Sequence, residues 1–310
     1  MANNKQIVNA AGAINTNDLK SGGYLNPEQA QKFIQQTFEK TALGNLIRHV
    51  QKHSKTGEID KIGIDSRILR AKTEDTDDGY RAKPNHNKLT YATTAVRLPW
   101  ELTEETLREN IEGQHYEEIV TNLMTTQLGI DREDLLINGD TATLASADDY
   151  DFLKINDGWY KLVMNGGHTI DHSSINSGNM NDNTFYNLLL QMPNKFQDGK
   201  LRWLMAPSRK TKWEQYLVNA ARSSGGVVTD GLINNPAGIP IVTVPKFPAG
   251  AIMLVNPQNL VAIDTYNVII RKTTEGKEAV MQDKRFYVVH FDMDAIVEEL
   301  DATALTYGLN

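Results

Sequence analysis

The spacing of apolar residues changes several times along the chain, and each change predicts an element. Ala30, Phe33, Ile34 and Phe38 recur at helical spacing and form one stripe. Asn26 suits the N-cap, Pro27 the first helical position and Glu28 the positive end of the dipole, while Gly44 can close the helix left-handed. From 58 to 98 the pattern shifts. Ile59, Ile62, Ile64, Ile68 and Leu69 form one apolar stretch, and Leu89, Tyr91, Ala95, Val96 and Leu98 form another with threonines interleaved. β-Branched enrichment of this kind favours strands. The polar centre, Thr73 to Pro84, is too charged to bury, so a long two-stranded hairpin with a charged tip is predicted. Such a hairpin is marginal by itself in water. It needs a surface to lie on, and a neighbouring subunit would serve.

A second helix is predicted from about 103 to 137, carrying Leu107, Ile111, Ile119, Leu123, Met124 and Leu128. Unbroken, it would reach roughly 50 Å. It stops at Leu135-Leu136-Ile137-Asn138-Gly139-Asp140. Residues 140–183 are rich in Asp, Asn, Gly and Ser, and the pattern places no regular structure there. Beyond them comes an α/β alternation. A helix starts near Asn183, a strand spans Leu201–Ala206, and a helix opens at Pro207 and carries Trp213, Tyr216 and Leu217. That helix stops at Ser223-Ser224-Gly225-Gly226, read as a mobile loop. Strands follow at 239–244, 251–255, 260–264, 268–271, 285–291 and 295–299, the last three forming a separate sheet.

Composition narrows the class. The 310 residues are 40% hydrophobic and 23% charged, ordinary for a folded chain and more than one compact domain usually holds. Residues 1–25 differ, being polar and rich in Asn and Gly, and read as an extended arm. There is no cysteine, which excludes disulfides, thiolate metal sites and cysteine nucleophiles. The N-terminal stretch lacks the apolar core of a signal peptide, and no apolar run is long enough to span a bilayer. The formal charge is −7, with Lys and Arg scattered among Asp and Glu. That argues against specific nucleic-acid binding and permits an acidic wall beside packed DNA.

Candidate chemistry is sparse. His168 and His172 are four apart, but Gly166-Gly167 and Ser173-Ser174 flank them, so a loop and not a metal-binding helix face is expected. Asp75, Asp77, Asp78 and Gly79 hint at a calcium loop. The position six residues after the glycine, where an EF-hand carries Glu, is Asn85. Gly276-Lys277 has Arg271 where a P-loop needs its first glycine. No serine-hydrolase elbow or zinc-protease motif occurs. Trp203, Trp213 and Tyr216 fall on predicted core faces, where packing is the default role of an aromatic. No catalytic constellation, metal site or cofactor is predicted.

The order of segments is specific. An arm, a short helix, a charged-tip hairpin and a long helix ending in Leu-Ile-Asn-Gly-Asp precede an α/β domain and closing strands. This order resembles the Hong Kong 97-type major capsid proteins of tailed phages. Leu135–Asp140 is similar to the end of that family's spine region, and Trp203-Leu204-Met205-Ala206-Pro207-Ser208 to its axial-domain strand and helix. Gly238–Ile241 with Ala251–Val255 resembles the next strand pair, and Arg285–Asp292 the closing peripheral-domain strand.

The resemblance implies an α+β fold divided into an N-terminal arm (1–25), a helix and connection (26–57), an E-loop hairpin (58–98), a spine helix (99–145), an axial domain (146–264) and closing peripheral strands (265–310). It implies a structural, non-enzymatic subunit whose copies form hexamers and pentamers of an icosahedral head around the DNA genome, assembled in the host cytoplasm, with no membrane partner. The E-loop tip (Glu74, Asp75, Asp77, Asp78, Arg81 and Lys83) would contact another subunit, and Ser224, Gly225 and Gly226 would lie near the capsomer centre. With so short an arm no fused scaffolding domain is expected, and the resemblance then suggests a separate scaffolding protein, or none. Portal and decoration proteins are the other expected partners, and DNA would be met by proximity alone. Two other readings remain: an encapsulin-type compartment shell, which shares the fold, and an α/β enzyme with its site in the middle domain.

Overall fold

The computed structural model describes residues 41–64, 67–72, 74, 77, 79–105, 116–225 and 230–310. The arm over 1–25, residues 26–40 of the first predicted helix and residues 106–115 of the second lie outside the described residues.

Two sheets organise the chain. The first has strand order β1-β9-β10-β4, from β1 (Arg48–Lys52), β4 (Thr94–Thr103), β9 (Leu260–Thr273) and β10 (Lys284–Val297). β1 runs parallel to β9, and the other pairs are antiparallel. The second has order β5-β11-β8-β6-β7, from β5 (His168–Asp171), β6 (Arg202–Met205), β7 (Ile241–Thr243), β8 (Ile252–Val255) and β11 (Thr303–Tyr307). A third, two-stranded sheet joins β2 (Thr56–Gly63) to β3 (Asn85–Ala92).

The helices are α1 (Tyr116–Asn138), α2 (Tyr150–Leu153), α3 (Trp159–Gly166), α4 (Asp182–Gln191), α5 (Pro207–Ser224), α6 (Asp230–Asn234) and α7 (Lys277–Gln282). Period-2 alternation gives the first sheet two different faces. Leu260 and Ala262 of β9 join Tyr287, Val289 and Met293 of β10 in the large core under α1. Val261 and Ile263 point the other way and meet Tyr91 and Ile59 of the β2–β3 hairpin. The second sheet is covered on one face by α4 and α5, where Phe185, Trp203 and Trp213 pack edge to face. Its other face shares the large core with α3.

Local chemistry explains most boundaries. Asn181 accepts from Thr184 N while Thr184 Oγ1 accepts from Asn181 N, a capping box that starts α4 at Asp182, one residue ahead of the expected Asn183. Pro207 opens α5, and Gly225, at φ +68, closes it.

Several expectations are corrected. The hairpin is β2 with β3 and ends at Ala92; Val96 and Leu98 belong to β4, which pairs with β10 over ten residues. Residues 140–183 contain α2, α3 and β5, because Trp159 and Val163, one turn apart, bury against the core inside a polar stretch. The boundary expected between 264 and 265 falls inside β9, which runs unbroken to Thr273. The strands expected at 285–291 and 295–299 are one strand with an irregular register between His290 and Asp292. The closing stretch expected as peripheral strands over 265–310 does not stay in one sheet: β11 crosses back into the second sheet between β5 and β8. Ser223 and Ser224 are helical and not loop.

Candidate assembly surface

The β2–β3 hairpin is tied to the body from its root as far as Lys61, and apolar side chains stand exposed beyond. At the root Tyr91 is buried against Val261 and Ile263. Ala92 N donates to Asp294 Oδ2 at 2.9 Å, and the Thr93 and Thr265 hydroxyls bond at 2.9 Å. Lys55 pairs with Asp292 at 3.2 Å, and Lys61 with Glu299. Burial pushes the Asp294 carboxyl above the ordinary carboxylate range, although the amides of Ala92 and Ala295 oppose the shift. Beside the root lies an open groove of about 530 Å³, lined by Thr90, Asn156, Asp157 and Ile296 among others.

Along β2 exposed positions alternate with half-buried ones, the half-buried Ile59 facing the first sheet. Ile62 is 66% exposed, Ile64 58% and Leu69 94%. Apolar side chains in this number on a thin projection are a mark of an interaction site. Among the tip residues named from sequence, Glu74, Asp77, Arg81 and Lys83 are described, while Asp75 and Asp78 lie outside. Asp77 organises the turn. It accepts from Gly79 N at 3.0 Å and takes both Arg81 terminal nitrogens, at 3.0 and 2.6 Å. Gly79 has φ +72, a conformation in which a side chain would be strained. The Arg81 guanidinium holds the exposed Asp77 carboxyl below its ordinary range. Arg70 stacks on the Tyr80 ring, its guanidinium carbon 3.8 Å from the centroid. The tip is thus pre-shaped by its own charges. Gly225 is exposed beyond Ser224, and Gly226 lies outside the described residues.

The body beneath is braced by polar ties between α1 and the first sheet. Arg132, buried, donates to both oxygens of Asp264 at 2.8 Å. Near the helix start, Glu117 accepts from Tyr287 Oη at 2.7 Å and pairs with Lys272, while Arg285 pairs with Glu104. Trp100 stacks on Tyr287 with centroids 5.1 Å apart. Burial, followed by the Glu117 charge, drives the Tyr287 phenol far above its ordinary range, so it remains a donor. Past the end of α1, Lys161 bridges Asp140 and Asp157 at 2.7 Å each and fixes the Asn-Gly-Asp turn. Gly139 is required there, since a Cβ would sit 2.4 Å from Asn156 O.

The histidine pair has a structural setting. His168 lies on β5, where a loop was expected, and His172, buried past its end, bonds Asn179 O at 3.3 Å. Among the described residues no group of three His, Asp or Glu converges as a metal site. Sequence reasoning counted Ile119 and Leu123 in the periodic stripe of the long helix, yet they face outward, 39% and 64% exposed. The signal was present: Val120, Leu128 and Leu135, buried on the other side, already supply the core face.

No family model matches the chain. The architecture nevertheless defines a class, for this mixed helix and sheet arrangement is the fold of phage capsid proteins. It superimposes on a chain of the satellite phage P4 procapsid, solved with its size determination protein, with TM-score 0.62 and 17% identity over 90% of this chain and 99% of that one. It also superimposes on the holo-SrpI encapsulin complex of Synechococcus elongatus PCC 7942, with TM-score 0.54 and 12% identity over 100% and 96%. In sequence the chain is similar to the putative prophage capsid protein YqbE of Bacillus subtilis (strain 168), 26% identical over 318 residues that span 97% of each chain.

Proposed function

We propose that this chain is the shell-building subunit of a phage head, of the Hong Kong 97 type, and acts by self-assembly and not as an enzyme. The observation that carries the reading is the hairpin: a two-stranded sheet anchored at its root, with Ile62, Ile64 and Leu69 bare along its outer half. In this reading β2, β3 and the segment between them form the E-loop, which lies across the next subunit. α1 is the spine helix, and with the β1-β9-β10-β4 sheet it makes the peripheral domain. The second sheet with α4 and α5 is the axial domain, and Gly225 stands near the capsomer centre. Obligate interfaces often bury more than about 2,000 Å², and a projecting hairpin supplies area without enlarging the core.

Full-length similarity to a prophage capsid protein supports the phage assignment, with hexamers and pentamers enclosing DNA, assembly in the host cytoplasm, and scaffolding, portal and decoration proteins as partners. An encapsulin shares the fold, which keeps an encapsulin-type shell as a second reading.

Electron microscopy and sedimentation of the purified chain test the proposal. Shells or capsomers are expected. Deleting residues 73–85 should leave circular dichroism unchanged and shift sedimentation to small species. Normal shells from the deletion, or a compact monomer of the intact chain at every concentration, would overturn it. Mass spectrometry of the particles separates the two shells: a co-purifying cargo enzyme would favour the encapsulin.

A further inference from the structure

Three kinds of unused bonding capacity meet in the groove beside the hairpin root. The first is Asn156. It is 4% exposed and lines the groove, and neither Oδ1 nor Nδ2 of its carboxamide has a hydrogen-bond partner among the described residues. Leaving a buried polar group unpaired is costly, and an acceptor beside a donor is the complement of a peptide unit. The second is the outer edge of β3. Thr93 N donates to Lys55 O, and antiparallel alternation then turns Tyr91 and Leu89 toward β2 and Ala92, Thr90 and Lys88 away from it. Ala92 N, which donates to Asp294, has this outward sense, and all three outward residues line the groove. Among the described residues no strand pairs with that edge. The third is Asp294. Its carboxyl accepts from the main-chain amides of Ala92 and Ala295, at 2.9 and 2.8 Å, and no cation among the described residues pairs with it. Between these groups Leu162, Val297 and Leu300 give the groove an apolar floor.

A matching occupant is extended, cationic at one point and apolar beside it. The hairpin itself carries such a segment beyond β2. Arg67-Ile68-Leu69-Arg70-Ala71-Lys72 is exposed throughout, belongs to no strand and contributes nothing to the groove of its own copy. Extended, it places Arg67, Leu69 and Ala71 on one side, with about 7 Å from each to the next. Arg70 falls on the other side, and its guanidinium is already stacked on Tyr80.

We propose that residues 67–72 of one copy lie as an added strand along β3 of a second copy, with Arg67 on Asp294, Leu69 on the apolar floor and a peptide unit against Asn156. The placement rests on the shell-subunit reading and names the surface that receives the outer hairpin. Strand addition draws affinity from main-chain hydrogen bonds and specificity from alternate side chains. The giving segment and the receiving groove are different surfaces, so the contact is head-to-tail, the kind that closes into a ring when the rotation permits.

The protein has no cysteine, so Ala71→Cys and Thr90→Cys, both at exposed positions, report the contact in assembled particles. Chains carrying one or the other are mixed, assembled, checked by electron microscopy and treated with a short bis-maleimide. A dimer-mass product is expected from the mixture and from neither variant alone, and the double variant should give a ladder of multimers. Particles without that product, the same product from a single variant, or a bridge confined to monomer mass in the double variant would overturn the placement and leave the shell reading intact. No particles from the intact chain at any concentration would overturn both. Charge gives a second test. Arg67→Ala and Asp294→Asn should each raise the concentration at which particles appear about tenfold, and the two together should raise it no further, because a single pair is lost in all three. Unchanged thresholds, or separate effects that multiply, would refute the pairing.

Discussion

Leu69→Asp separates folding from assembly. Leu69 is 94% exposed on the outer part of the hairpin, so its own subunit gains almost nothing from the side chain. Substituting such a position changes stability by no more than about 0.5 kcal/mol. In the proposed shell each hairpin lies on one neighbour, and the leucine is covered there. Full burial of a leucine contributes about 1.5–3 kcal/mol, and a carboxylate left against that surface adds a desolvation cost. A loss of about 2 kcal/mol per subunit contact is therefore a lower figure, which corresponds to a roughly 30-fold rise in the concentration at which particles appear. Light scattering across a concentration series gives that threshold, and urea unfolding of dilute subunits gives the stability. Equal thresholds for the variant and the parent chain would refute the reasoning, as would a variant that fails to assemble because it is unfolded.

Three further outcomes follow from the polar ties. Arg132→Ala leaves Asp264 without the Nη2 group that bridges both its oxygens, at a site where the arginine is buried, so urea unfolding should show a loss of about 3 kcal/mol, and Arg132→Lys should recover part of it. Asn181→Ala removes the capping acceptor of α4 and should cost about 1 kcal/mol by the same measurement. Lys161→Met tests a pH dependence. Bonding to Lys161 holds Asp140 below its ordinary range; burial opposes the same effect at Asp157, yet the Lys161 and Thr141 donors prevail. Carboxyls depressed in the folded state stabilise it above about pH 4 and cease to do so as the pH falls through their folded values. The parent chain should exceed the variant by about 0.5–1 kcal/mol at pH 7, and thermal unfolding should show the gap closing below pH 4.

Periodicity and punctuation made much of this molecule legible from sequence. Pro207 and Gly225 bound α5, Asn138-Gly139 ends α1, and the Trp203–Met205 run is a buried strand, because each signal acts within a few residues. The charged stretch between Thr73 and Pro84 likewise announced a segment that no core could bury. Tertiary structure decided which apolar residues are core. Ile62 and Leu69 look no different in sequence from Ile263 and Leu260, and only the one-sided support of the hairpin leaves the first pair bare. Trp159 and Val163 form a two-residue stripe too short to declare a helix until both sheets close on it. β9 and β10 are single long strands because they pair with each other and, on their outer sides, with β1 and β4 from far earlier in the chain. β11 is placed by strands β5 and β8, and nothing within Thr303–Tyr307 says which sheet it will join. Local sequence set where elements begin and end, since capping and turn chemistry are short-ranged. Pairing and burial are long-ranged, and they determined the sheets, the core and which apolar side chains stay exposed.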